Sequence, residues 1–104
     1  MRSYDYLSRE TVKKYLPEMI ARRVSVVARQ KGFTQMYLSG QNPRLVMATK
    51  NQSWHDKRHN FLKRHLAAGH KLYDKNGQLS RYHLSLIAWG YSPSRKIRRE
   101  NQRK

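Results

Sequence analysis

The chain has 104 residues, no cysteine, and 23 Lys and Arg against 6 Asp and Glu, a formal charge of +17. The missing cysteine excludes a disulfide framework and a thiolate zinc site, and no apolar run approaches the roughly 18 residues that span a bilayer. A small domain stays soluble with a net charge of roughly 2–8, so an excess of this size points to a polyanionic partner, nucleic acid first.

Ser8 is an N-cap candidate, and Val12, Tyr15 and Leu16 follow at helical spacing, which predicts a short helix over 9–15. Pro17 suits a first turn better than a helix interior, so a kink is expected there, then a second helix over 17–31 closed by Gly32. Its buried stripe reads as Met19, Ile20, Val24 and Val27. Phe33 to Leu38 is one further helical turn ending at Gly40, and 41–43 is a loop. The stretch 44–50 stays open between a short helix and a strand, because a short apolar run has no decisive period. Ser53 opens the clearest helix, 54–68, closed by Gly69. Asn76-Gly77 favours a type I′ turn, hence a short β-hairpin within 71–79. Ser80 caps a last helix, 81–89, ended by Gly90. It is apolar almost all round, so it is expected to be the central buried element. Residues 92–104 hold six basic side chains, Glu100 and a single Ile97, and read as a basic tail, disordered or helical only when bound.

The fold class is therefore mainly α: a small single-domain bundle of four to five short helices, with the 71–79 hairpin as an option. The compact domain spans 1–91 and the tail 92–104, and truncating 94–104 is expected to weaken binding and leave the fold intact. Leu16, Ile20, Val24, Val27, Phe33, Phe61, Leu62, Leu66, Leu84, Ile87 and Trp89 are the expected core.

Charge is spread along the chain. Residues 1–52 hold 10 basic and 3 acidic side chains, and 53–104 hold 13 and 3, so the folded part must itself be basic. Arg22 and Arg29 recur at seven residues on one predicted helix, and Lys57 and Arg64 on another. With Arg58 and Arg81 they are the folded-domain candidates for phosphate contacts. Arg95, Lys96, Arg98, Arg99, Arg103 and Lys104 come from the tail. Guanidinium and ammonium groups hold phosphate by charge-assisted hydrogen bonds that carry little base information. The bland reading of such faces, an ordinary solvated helix surface, is weakened by the shortage of neutralising acids.

Seven Tyr and two Trp are many for this length. Tyr37, Tyr73, Tyr82 or Tyr91 could stack on unpaired bases, but a small core also uses Tyr with its hydroxyl at the rim, and that reading is preferred for each. His55 and His59 stand four apart on a helix, a spacing that can hold a metal. A third ligand from His65, His70 or His83 would have to arrive through tertiary contact, and the neighbours are basic. No metal, cofactor or catalytic residue is assigned. The six carboxylates are dispersed, which disfavours a metal-dependent nuclease, and only a histidine-based ribonuclease using His55, His59 or His83 stays open among enzymes.

Val27-Ala28-Arg29 followed by Gly32-Phe33 and Tyr37 forms one pattern. Trp54-x-x-Lys57-Arg58-x-x-Phe61-x-x-Arg64-His65 forms a second. Ser80-Arg81-x-His83-Leu84-x-Leu86-Ile87-Ala88-Trp89-x-Tyr91-x-Pro93 forms a third. Together, over residues 24–93, they resemble small basic proteins of unassigned function encoded by phages and environmental viruses. The resemblance implies a viral accessory or virion-associated protein that binds nucleic acid, and it carries over no activity.

The expected function is nucleic-acid binding, DNA or RNA, through the phosphate backbone with little base specificity. The alternative is a small adaptor or inhibitor docking on an acidic protein surface, and a third reading is a structural ribonucleoprotein component. The expected location is intracellular, in the cytoplasm or nucleoid of a host cell or in a virion. Residues 1–6 contain no apolar stretch of the secretory kind.

Overall fold

Three serines set three helix starts where the sequence marks them. Ser8, Ser53 and Ser80 have extended backbone, and each Oγ accepts the backbone N–H three residues on: Thr11 at 3.2 Å, Asp56 at 3.2 Å and His83 at 3.0 Å. Each such cap stabilises its helix by about 1 kcal/mol. They open α1 (Arg9–Ala21), α4 (Trp54–Ala68) and α5 (Arg81–Ala88). The remaining elements are α2 (Val26–Lys31), α3 (Phe33–Leu38), β1 (Met47–Thr49), β2 (Gln52–Ser53) and α6 (Arg95–Gln102). The computed structural model describes residues 4–102, and side chains over residues 4–99; Arg103 and Lys104 lie outside the described residues. The protein is a small, mainly helical single domain with a minor two-stranded sheet.

The helix break falls later than expected. Pro17 is exposed inside α1, so the carbonyl that loses its partner can face water and the helix continues to Ala21. The chain turns instead at 22–25, where Arg23 and Ser25 take left-handed φ of 55° and 52°. Val24, between them, is 2 % exposed, and its N–H bonds the Met19 carbonyl at 2.9 Å. Because 17–31 is not one continuous helix, the expected stripe loses its phase. Met19 and Val24 are buried, whereas Ile20 is 53 % and Val27 77 % exposed.

Within 44–50 only Met47–Thr49 form a strand, β1, antiparallel to β2 across a tight turn, and Arg44 and Leu45 belong to the preceding turn. In the 71–79 segment, Tyr73 and Leu79 form a single bridge and no strand. The turn is not type I′. Gly77 alone takes positive φ (81°), its N–H bonds the Asp74 carbonyl, and the Asp74 side chain accepts the N–H groups of Asn76 and Gln78. That is a type I turn followed by a left-handed glycine, the three-residue loop.

The core is built on α5, whose Leu84, Leu86, Ile87 and Ala88 are fully buried. Aromatic rings stack beside it. Phe33 lies against Trp89 (5.3 Å, 17°), Trp89 against Phe61 (4.5 Å, 18°), and Phe61 against His65 (3.9 Å, 24°). Phe33 also stacks on Tyr37 at 5.3 Å. Gly90 closes α5 at a left-handed φ of +73°, a conformation that favours glycine, with its backbone packed beside the Phe33 ring. The extended residues 4–8 are pinned here: Leu7 N–H bonds the Gly90 carbonyl at 2.8 Å, and the Tyr37 hydroxyl donates to the Leu7 carbonyl at 2.6 Å.

Residues 92–102, expected as a tail, are part of the body. Arg95–Gln102 form α6, Ile97 is 1 % exposed, and Ser92 and Ser94 ahead of the helix are buried. Tyr73 and Ser94 share a hydroxyl bond of 2.7 Å, and Arg98 pairs with Asp5 at 2.7 Å. One well-seated isoleucine and two polar ties are enough to order a helix that composition alone marks as solvated. No described helix is long and apolar enough to cross a membrane.

Candidate nucleic-acid interface

The basic side chains divide by where the helices place them. Arg58 leaves the candidate set. It is 1 % exposed, and its guanidinium donates to four backbone carbonyls: Trp89 at 2.7 Å, Tyr4 at 2.7 Å, Asp5 at 2.9 Å and Gly90 at 3.0 Å. Its Cζ lies over the Tyr6 ring, 3.8 Å from the ring centre. Burial pulls its pKa down to about 10, which leaves it charged at neutral pH. Arg58 is a structural pin between the N-terminal segment and the end of α5. Its neighbour Lys57 is half-buried, with Nζ 5.4 Å from the Trp54 ring.

Arg22 and Arg81, far apart in sequence, meet. Arg22 Nη1 donates to the Leu79 carbonyl, and Arg81 donates to the carbonyls of Arg22 and, at 3.3 Å, of Arg23. Arg81 thereby holds the left-handed turn at the end of α1. Arg22 also faces Glu18 at 3.5 Å. A groove of about 450 Å³ beside them is lined by Arg22, Glu18, Tyr15, Tyr73 and Lys96. Arg22, Arg23 and Arg81 thus meet at the end of α1, and Lys96 of α6 lines the groove beside Arg22, with Glu18 in the same wall. Arg95 and Arg99 are exposed on α6, whereas Arg98 is engaged with Asp5.

Arg64 is exposed on α4 beside Lys63. Arg29 is half-exposed, and its Nε bonds the Val24 carbonyl at 2.9 Å. Arg29 thus grips the same 22–25 turn that Arg81 holds, whereas no hydrogen bond or ion pair among the described residues ties Arg64 to it. A residue pair that sequence reasoning missed is Arg9 and Arg44. They line a groove of about 420 Å³ with Tyr6, Tyr37 and Asn42. Arg9 donates to the Tyr37 carbonyl at 2.6 Å and the Gln41 carbonyl at 2.7 Å. A cation in the first turn of a helix runs against the dipole, and that local mismatch was the one available signal.

The tyrosines have structural tasks. Tyr37 is buried, Tyr82 donates to the His65 carbonyl at 2.8 Å, and Tyr91 packs edge-on to Tyr4. His83 is fully buried. Its Nδ1 donates to the Leu72 carbonyl at 3.1 Å and its Nε2 accepts from Ser92 Oγ at 2.7 Å, while burial lowers its pKa and keeps it neutral. His55 Nδ1 is 2.6 Å from the Tyr6 hydroxyl; burial, then Arg44 and Arg58, lower its pKa. Among the described residues no three His, Asp or Glu side chains gather where a metal could sit.

With 23 cations and 6 carboxylates, at least 17 cations have no carboxylate of their own however the pairs are drawn. The exposed cations on this helical body offer charge and N–H donors to anionic oxygens. The chain matches no protein-family model, no curated protein and no solved structure.

Proposed function

We propose that the protein binds nucleic acid through the phosphate backbone, with little base specificity. The observation that carries this reading is the uncompensated charge of +17 on an ordered body. One cluster of it lies where Arg81 meets the Arg22–Arg23 turn, with Lys96 lining the groove beside Arg22 and Arg95 and Arg99 exposed on the same helix as Lys96. Each cation that meets a phosphate releases a condensed counterion, so affinity comes from ions returned to solvent and not from base contacts. A viral accessory or virion-associated role fits such binding. The test is a competition titration with duplex DNA, single strands and structured RNA, each in two unrelated sequences. Equal affinity for the two sequences within each class supports the reading. A strong preference between two sequences of one class overturns it.

A further inference from the structure

A groove of about 560 Å³ opens on the side of the molecule where α2 faces α4, and its character differs from that of the basic faces. Its walls are Val27, Ala28, Ala48, Trp54 and Phe61. Lys31 and Lys57 line it as well, and no carboxylate does. Val27 is 77 % exposed and Val26 is 38 % exposed. In a chain with only 38 % apolar residues, two β-branched residues left in solvent beside two tryptophan-lined walls mark a surface made to be covered.

Three candidates could cover it. A second copy of the chain would bring another +17 against this one, which charge repulsion opposes. An unpaired base needs a free ring face to stack on. Here Trp89 stacks on both Phe33 and Phe61, Phe61 stacks on both Trp89 and His65, and Trp54 is met by Lys57, by Phe33 in an edge-on contact and by the tilted Trp89 ring, so ring faces are largely engaged within the protein. The groove therefore offers ring edges and aliphatic groups, which suit branched aliphatic side chains. The two lysines add a demand for negative charge. We infer that this groove docks an acidic amphipathic helix of a protein partner, with leucine-like anchors between Val27 and Phe61 and carboxylates on Lys31 and Lys57. The groove shares no lining residue with the one beside Arg22 and Lys96, so on this reading the protein can hold nucleic acid and a protein partner together.

The chain's two tryptophans, Trp54 and Trp89, both line the groove and report on it. The probe is a peptide of about four helical turns with leucines on one face and glutamates elsewhere. Its control has the same charge, with serine replacing leucine. At a salt concentration that screens exposed charge, the leucine peptide should bind roughly tenfold tighter than the control and shift tryptophan emission to the blue. Val27→Asn, at an exposed position and with unchanged charge, should abolish that difference while leaving oligonucleotide affinity untouched. Equal binding of the two peptides overturns the inference. So does tryptophan quenching by oligothymidylate together with loss of oligothymidylate affinity in Val27→Asn, which would give the groove to a nucleobase. Oligonucleotide affinity is read separately, so failure of the nucleic-acid reading leaves this result interpretable.

Discussion

The guanidinium of Arg58 donates to the backbone carbonyl of Trp89 at 2.7 Å, and through it the first described residues are fastened to the end of the central helix. A buried cation normally requires a carboxylate. Here four carbonyl dipoles and the face of Tyr6 replace it. Five donors in a fixed fork make this possible, and an ammonium group has no equivalent geometry. Arg58→Lys should therefore destabilise the fold by about 3–5 kcal/mol, as loss of a buried charge's partners does. Thermal unfolding checks it. A native melting temperature in Arg58→Lys would show the carbonyl cage to be incidental.

Acid should loosen the protein at His83. Its folded pKa lies below the ordinary value because burial disfavours the charged ring. Well above pH 6.5 the ring is neutral folded or unfolded and stability is level. Below that, the unfolded chain takes up the proton first, so stability falls as pH drops toward the lowered folded value. Denaturant unfolding between about pH 7 and 5 should show this loss, and His83→Gln should be less stable at pH 7 but flatter with pH. An equal slope in both proteins contradicts the assignment.

Ile97 separates the structural from the electrostatic part of α6. Ile97→Ala removes a buried side chain and should cost about 2–4 kcal/mol. Arg95→Gln with Lys96→Gln and Arg99→Gln removes three exposed cations and should leave melting nearly unchanged while weakening nucleic-acid binding. Removal of residues 94–104 does both, so it should lower stability as well as affinity. If Ile97→Ala melts like the native chain, α6 is no part of the body.

The left-handed turn offers a gain. Arg23 is exposed at φ 55°, a conformation that costs an L residue roughly 1–2 kcal/mol and a glycine much less. Arg23→Gly should raise stability by about 0.5–1 kcal/mol despite the added chain entropy. A drop in melting temperature would mean that the Arg23 side chain contributes more than its backbone costs.

Much of the fold was legible because local chemistry announces it. The serine caps at 8, 53 and 80 and the apolar run from Leu84 to Trp89 gave three helices and the hub directly. The break at 22–25 was not legible, since it uses Arg23 and Ser25 where a left-handed turn ordinarily shows glycine or asparagine. Its price was a false stripe through Ile20 and Val27. The α6 helix was hidden because a single Ile97 gives no period. For the candidate site, composition reveals that charge is in excess, but only tertiary contact separates the pin Arg58 from the exposed Arg64, or brings Arg81 onto Arg22.

The central claim is that phosphate neutralisation drives binding, and the most direct measurement is affinity for a duplex across a range of salt concentrations. The logarithm of the association constant should fall linearly with the logarithm of salt, by about 0.9 for each phosphate engaged. Replacing Arg95, Lys96 and Arg99 with glutamine should flatten that slope by up to about 3. Affinity that stays constant with salt, or a slope unmoved by the three substitutions, would contradict the account.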